Sequence, residues 1–374
     1  MKIVYVVSDL KRVGPTNQTF NIIANSKYKA NSIVITLFDE PNDTMIAKYE
    51  KANITIRCLH LNRNLYFLYV NRLKKELSKY NPMIVHSYGV KADYLCHKAC
   101  KKTSWIHVIT LRNYPKEDIL TRMSRIKGII ALRQHLHTLI NTKYVVCCSK
   151  TIKDKMSKDY PNKKFYYIQN GVDIDLFAPV DKNKKNDLRK KYKIGLDATV
   201  FVCTNSFIPR KRIEKTIEFF EMIPVNNKIL YLLGEGQLLN QIQEKYKSNK
   251  IIYVGKTDKV IDYLKLSDYF ISTSASEGLP NAVLEAVACG LPVLLSDIPQ
   301  HKEILDEIKD AGKIININTF NKENVKKEYC DIYSKEYDNM KKNTQKIKNS
   351  VFTMKNMSLN YMKLYEKIGD ENVR

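Results

Sequence analysis

The chain has 374 residues, 44% of them apolar, and no apolar run near the roughly 20 residues a helix needs to cross a bilayer, which excludes general disorder and a membrane-spanning helix. Its length suits two domains of about 150–200 residues better than a single core. The net charge of +24 is uneven: residues 1–180 carry 30 Lys/Arg against 13 Asp/Glu, and residues 181–374 carry 33 against 26. The N-terminal half should therefore attract anionic lipid, nucleic acid or a diphosphate-bearing substrate. An A/T-rich genome, which favours Lys codons, accounts for part of the excess, and no nucleic-acid-binding motif accompanies it. The eight cysteines lack metal-ligand spacing and read as free thiols of a cytoplasmic protein.

In chain order, Ile3–Val7 reads as a buried first strand, too short and too soon acidic for a signal peptide. Gly14 follows it and opens a helix over Thr16–Asn25. Further strands are expected at Ser32–Leu37, Ile54–Leu59, Met83–His86, Trp105–Leu111 and Tyr144–Cys148, with helices at Leu68–Tyr80 and Asp118–Ile140. This alternation argues for a parallel sheet covered on both faces. In the last helix Arg122, Arg125, Lys127 and Arg133 alternate with Ile119, Leu120, Met123, Ile126, Ile129, Ile130, Leu132 and Leu136, interrupted by Gly128. It suits either a core helix with a solvated basic face or a surface held reversibly on an anionic membrane. His107, inside its strand, is expected in the core.

The segment Tyr167-Ile168-Gln169-Asn170-Gly171-Val172-Asp173 makes a strand and a turn, and a second alternating unit begins at Thr199–Thr204. Strands follow at Ile229–Leu233, Ile251–Val254, Tyr269–Thr273, Pro292–Ser296 and Ile314–Ile317. Helices follow at Ile213–Met222, Leu238–Lys245, Val260–Leu266 and Met357–Ile368. The most informative stretch is Ser276-Glu277-Gly278-Leu279-Pro280-Asn281-Ala282-Val283-Leu284-Glu285, closed by Gly290 and Pro292. Pro280 suits the first turn of a helix and Gly290 its stop. The free amides at that helix start favour a phosphate or diphosphate. Glu277 and Glu285 at its edges repel phosphate but accept hydrogen bonds from hydroxyl pairs. Phosphate beside hydroxyls describes a nucleotide sugar.

This spacing, with Ser-Glu-Gly-Leu-Pro-Asn before and Glu-Ala-Val-Ala-Cys-Gly-Leu-Pro after, resembles the Glu-x7-Glu signature of retaining glycosyltransferases of family four. That family includes bacterial surface-polysaccharide and O-antigen enzymes. The resemblance implies an α/β GT-B fold, two Rossmann-like parallel-sheet domains facing across a cleft. Residues 1–165 would bind the acceptor, 166–355 the donor, and 356–374 would return as a helix to the first domain. It implies donor contacts from Gly14, Ser206, Lys211, Glu277, Gly278, Leu279, Pro280, Asn281 and Glu285, with Glu285 on ribose and Glu277 on the sugar.

Relatives pair Lys211 with an arginine five residues earlier, where this chain has Ser206, leaving Arg210 or Arg212 to compensate. Many relatives have a histidine where this chain has Arg112, which is too basic for acid–base work and suits a phosphate. Catalytic roles then fall to Glu277, Lys211 and Arg112, and acceptor contacts to His86 and Arg112. Gly234-Glu235-Gly236 and Gly255-Lys256 resemble turns around the nucleotide. Asp173-Ile174-Asp175 reads as structural, so no metal or other cofactor is expected. The expected partners are a UDP-sugar, an undecaprenyl-diphosphate-linked glycan and an anionic membrane surface, not nucleic acid. The expected place is the cytoplasmic face of the membrane. A soluble or protein acceptor, and more distantly a nucleic-acid-binding role, are the alternatives.

Overall fold

The computed structural model describes residues 1–122, 124–329 and 335–373. It divides into two compact units, residues 1–171 with 354–374, and residues 172–353. The first unit holds seven parallel strands, β1 (Ile3–Val7), β2 (Ser32–Thr36), β3 (Thr55–Cys58), β4 (Ile84–Ser87), β5 (Ile106–Leu111), β6 (Tyr144–Cys147) and β7 (Tyr166–Tyr167). Their order is β3-β2-β1-β4-β5-β6-β7. The chain lays β1 to β3 outward in one direction, then returns to place β4 on the other side of β1. Near-continuous apolar strands such as Ile3–Val7, buried at every position, are what a sheet covered on both faces requires.

The second unit repeats this with β8 (Thr199–Thr204), β9 (Lys228–Leu233), β10 (Ile251–Gly255), β11 (Tyr269–Ser272), β12 (Val293–Ser296) and β13 (Gly312–Ile315), in the order β10-β9-β8-β11-β12-β13. All pairings are parallel. The direction of strand laying reverses between β1 and β4 in one sheet and between β8 and β11 in the other. Open parallel sheets leave a crevice beyond the carboxyl ends of strands at such a reversal, where the flanking loops diverge.

Several helices differ from the sequence reading, and two of them show why. The expected helix over Asp118–Ile140 is two helices, Pro115–Arg122 and Arg125–Ile140, with Ser124 before the second. Gly128 does not interrupt it but lies buried in the second helix's first turn. Met123 lies outside the described residues. The Lys-rich stretch after Asp181 forms a helix, Lys182–Lys191, because Asp181 accepts from the amide of Lys184 and Arg189 is buried on backbone carbonyls and Asp268. Here a tertiary anchor decides where apolar periodicity is missing.

The final helix, Met354–Val373, belongs to the first unit. Met357, Tyr361, Leu364, Tyr365 and Ile368 recur at helical spacing and are buried against β1, β4 and β6 residues. Among the described residues no helix is long and apolar enough to cross a membrane.

Candidate functional site

In the second unit both loops at the β8/β11 reversal carry charge. After β8 the chain makes a short turn, Pro209–Lys211, then Arg212 in the left-handed region (φ +48°), before helix Ile213–Met222. After β11 it runs through Ser274 and Glu277 into helix Asn281–Ala288. The loops are tied by Ala275 N–H donating to the Arg210 carbonyl (2.7 Å) and Thr273 Oγ1 donating to the Arg212 carbonyl (2.8 Å).

Glu277 is 6% exposed and holds Lys211 on Oε1 and Arg210 on Oε2, the latter at 3.3 Å. Burial by itself would raise its carboxyl; Lys211 and Arg210 outweigh it and hold the group at about 2. Burial also lowers Lys211 from its ordinary value, opposed by Glu277. Gln300 donates to the Glu277 carbonyl at 2.7 Å, and Ser296 Oγ to the Ser274 carbonyl at 2.6 Å, bracing the loop from helix Pro299–Glu307 and β12.

Pro280 stands one residue before helix Asn281–Ala288 as its N-cap, without a side-chain cap. The first amides to bond within the helix are those of Val283 and Leu284, both to the Pro280 carbonyl, so the start presents donors and a partial positive charge. Gly290 (φ +84°) closes it, its amide on Val287 and that of Leu291 on Ala286, a Schellman pattern that needs the glycine. Gly278, Leu279 and Pro280 are buried. Glu285, one turn into the helix, is partly buried and has no side-chain partner among the described residues. Burial pushes it up to about 7.

Ser206 is exposed and brings no charge, whereas Arg210, one residue before Lys211, occupies the second cation position on Glu277. Arg212 points elsewhere, lining a cavity of about 180 Å³ with Ser274, Ser296 and Asn316. Gly234 and Gly236 have a packing reason: a Cβ there would stand 2.0 Å from the Asn205 carbonyl oxygen and 2.5 Å from that of Phe207. They let the β9 loop press on the β8 loop that carries Lys211.

In the first unit, Gly14 begins helix Gly14–Ala24 after β1. Arg112 follows β5, donates NH1 to Asn170 Oδ1 (2.9 Å) and lies 5.5 Å from the Tyr88 ring centre, while its Nε is buried without an acceptor. Tyr88, after β4, bonds Thr16 after β1, so this reversal point also gathers Gly14, Thr16, Tyr88 and Arg112.

His86 stands apart from that group. It is 4% exposed, its Nδ1 bonds Tyr365 Oη (2.6 Å) and its Nε2 bonds Thr110 Oγ1 (2.7 Å), which in turn meets Tyr361. Burial, aided by Arg112, lowers it to about 3, so the ring is neutral. Both ring nitrogens of His86, expected to contact the acceptor, are occupied within the fold, one by the final helix and one by β5. His107 is buried on Ser87. Asp173 caps a turn through the amides of Asp175 and Leu176. Among the described residues no group of three or more His, Cys, Asp or Glu is placed to hold a metal ion.

Of the two arginines left to compensate for Ser206, Arg210 is the one that meets Glu277, while Tyr88 and Gln300 carry contacts that the sequence reading did not single out. Arg210 had a signal, a second cation beside Lys211. Tyr88 and Gln300 had none, because each matters through a loop distant in sequence.

Comparison with known proteins fits this arrangement. Residues 31–176 match the family described as Glycosyltransferase Family 4, and residues 184–348 match Glycosyl transferases group 1. The chain is 26% identical over 338 residues to the O-antigen biosynthesis glycosyltransferase WclY of Escherichia coli, covering 87% of this chain and 90% of that one. It is 27% identical over 315 residues to an Escherichia coli UDP-Gal:alpha-D-GlcNAc-diphosphoundecaprenol alpha-1,3-galactosyltransferase, covering 78% and 77%. The fold is similar to Anabaena Alr3699/HepE, solved in complex with UDP, with a TM-score of 0.81 at 16% identity over 98% of this chain and 100% of that one.

Proposed function

The chain is a family-four glycosyltransferase of the GT-B fold, and from that premise we propose that it moves a sugar from a UDP-sugar to a lipid-diphosphate-linked glycan in O-antigen-type surface polysaccharide assembly, with retention at the anomeric carbon. The observation that carries the donor half is the set at the β8/β11 reversal: Lys211, the amide-rich helix start at Asn281 and the unpartnered Glu285 within one unit. Cation and amides suit a diphosphate, and a carboxylate one helical turn further suits the paired hydroxyls of ribose. Glu277 and the backbone of Gly278 to Asn281 take the sugar. No metal is required, because Lys211 and the helix start supply the positive charge.

As the bond between the anomeric carbon and the phosphate oxygen breaks, its electron pair moves onto the diphosphate. Lys211 and the helix amides are fixed where that charge grows. The acceptor hydroxyl bonds to the same face of the sugar and its proton passes to the departing phosphate, so no protein nucleophile is needed.

For the acceptor, the excess charge of residues 1–180 and Arg112 against Tyr88 suit a diphosphate, and one relative is named for a diphosphoundecaprenol-linked acceptor. A surface for the lipid's membrane is at hand in the first unit. Ile126 and Ile130 are 75% and 63% exposed on helix Arg125–Ile140 beside Arg125, Lys127 and Arg133. Phe67 and Leu68 add to it, their turn tied to that helix by Tyr66 Oη on Gln134. Cations near an anionic leaflet contribute roughly 1 kcal/mol each, which supports a seat on the cytoplasmic face of the membrane.

The test is transfer from a panel of UDP-sugars to a short polyprenyl-diphosphate-linked N-acetylglucosamine, with the product's anomeric configuration read by NMR. A product of retained configuration is expected, formed faster on anionic vesicles. Equal or better transfer to the free saccharide would point instead to a soluble acceptor.

A further inference from the structure

Arg112 is held by a neutral group where other arginines of the chain are held by acids. Arg57, Arg63, Arg189 and Arg210 each pair with a carboxylate, of Glu76, Asp9, Asp268 and Glu277 respectively. Arg112 is half-buried after β5, one terminal nitrogen donating to Asn170 Oδ1 at 2.9 Å and the guanidinium 5.5 Å from the Tyr88 ring centre. It pairs with no carboxylate among the described residues. Its other terminal nitrogen makes no bond among them and, unlike the buried Nε, is open to solvent.

The surroundings leave its charge uncancelled. The titratable side chains that feel it include His86, Tyr49, Tyr88, Tyr361 and Tyr365. Burial keeps the imidazole unprotonated and raises each of these phenols, so all five are neutral at pH 7. Asp9 acts on Tyr88 but is taken by Arg63 at 2.6 Å. A half-buried cation among neutral neighbours is a place for an anion.

Asn170 is fixed as firmly as the arginine. It is 5% exposed, and the Gln18 side chain clasps the next residue, Gly171. Gln18 Nε2 donates to the Gly171 carbonyl (2.9 Å) and its Oε1 accepts from the Gly171 amide (3.2 Å). Gln18 lies one turn into the helix that Gly14 opens. An aspartate has the same shape as asparagine and binds a guanidinium more strongly, as a charge-assisted pair. It would also neutralise it. An amide orients the guanidinium and leaves its charge whole for an incoming group.

We propose that Asn170 is a positioning residue: it aims Arg112 at a substrate phosphate through a neutral hydrogen bond that preserves the full positive charge. The assignment rests on the reading of Arg112 as a contact of the acceptor diphosphate.

The test is calorimetric titration of the full chain with a short polyprenyl-diphosphate-linked N-acetylglucosamine, beside thermal melting of the same proteins. Asn170→Asp should melt at or above wild type yet bind the acceptor about 10- to 100-fold more weakly, the size of one charged hydrogen bond. Asn170→Ala breaks the bond but keeps the charge, so it should melt lower and lose no more than about 5-fold in affinity. A purely structural role gives the reverse order of affinity, since aspartate retains the bond and alanine does not. In an Arg112→Gln background, which itself binds more weakly, Asn170→Asp should change affinity by less than about 2-fold.

Three results would overturn the proposal and leave the acceptor reading standing: wild-type affinity in Asn170→Asp, a larger loss in Asn170→Ala than in Asn170→Asp, or the same loss from Asn170→Asp with and without Arg112. Unchanged affinity in Arg112→Gln, or no binding by wild type, would overturn the acceptor reading of Arg112 and this proposal with it.

Discussion

Both sheets contain the same topological reversal, yet the largest buried polar network beside it differs in character between the two. At β8/β11 the buried polar groups are ionised and paired, Lys211 and Arg210 on Glu277, with Glu285 left over. Around His86, within β4, the buried groups are neutral and complete each other, His86 on Tyr365 and Thr110, and Thr110 on Tyr361. A neutral, mutually satisfied network pins a helix and needs no ligand. A charged one with unmatched members is what a charged ligand completes. The His86 network thus serves as scaffold beside the first unit's Arg112, whereas the charged set at β8/β11 is the one the proposed donor would complete.

The largest effect that could break this contrast is loss of Glu277. Glu277→Ala leaves Lys211 and Arg210 buried without their carboxylate and should lower stability by about 3–5 kcal/mol, read by chemical denaturation, with activity abolished. Lys211→Ala should keep the fold but reduce turnover about 100- to 1,000-fold, the effect of one fixed donor to a developing oxyanion. In the neutral rim His86→Leu leaves two hydroxyls short of a partner and should lower stability by about 1–3 kcal/mol. It should change kcat far less than Lys211→Ala does; an equal fall in kcat would return His86 to the reaction.

Acidity separates the two glutamates. Glu277 is held below its unfolded value of 4.5, so its contribution to stability is full above about 4.5 and is lost as pH falls toward 2. Glu285 is raised instead. The folded protein keeps that proton up to about 7 where the unfolded chain has released it, so stability declines as pH rises from 4.5 to 7. Glu285→Gln should therefore melt higher than wild type at pH 8 without ligand, and bind UDP more weakly. Hydroxyl pairs hydrogen-bond the ionised form, so wild-type UDP affinity should weaken as pH falls below about 7, a dependence the glutamine variant lacks. The smallest effect is at Arg212: asparagine tolerates its left-handed backbone better, and Arg212→Asn should raise stability by up to about 1 kcal/mol.

The sheets were legible in the sequence because parallel strands buried on both faces are short apolar runs, and Ile3–Val7 and Thr199–Thr204 were readable to the residue. Helix Lys182–Lys191 was not, since Arg189 and Asp268 hold it across 79 residues of sequence. The break at Ser124 escaped too, because apolar spacing runs through it. Within the candidate site, local motifs marked Glu277, Glu285 and Lys211. The bonding of His86 and Arg210 depends on partners 279 and 67 residues away, which no local pattern encodes.

The central claim, that the β8/β11 rim is a nucleoside diphosphate site, is tested most directly by the melting temperature of the full chain with and without saturating UDP, in wild type and Lys211→Ala. A ligand at 100 times its Kd stabilises by about 2.7 kcal/mol. The account predicts a clear rise in wild type that Lys211→Ala largely loses. No rise in wild type, or the same rise in both, would contradict it.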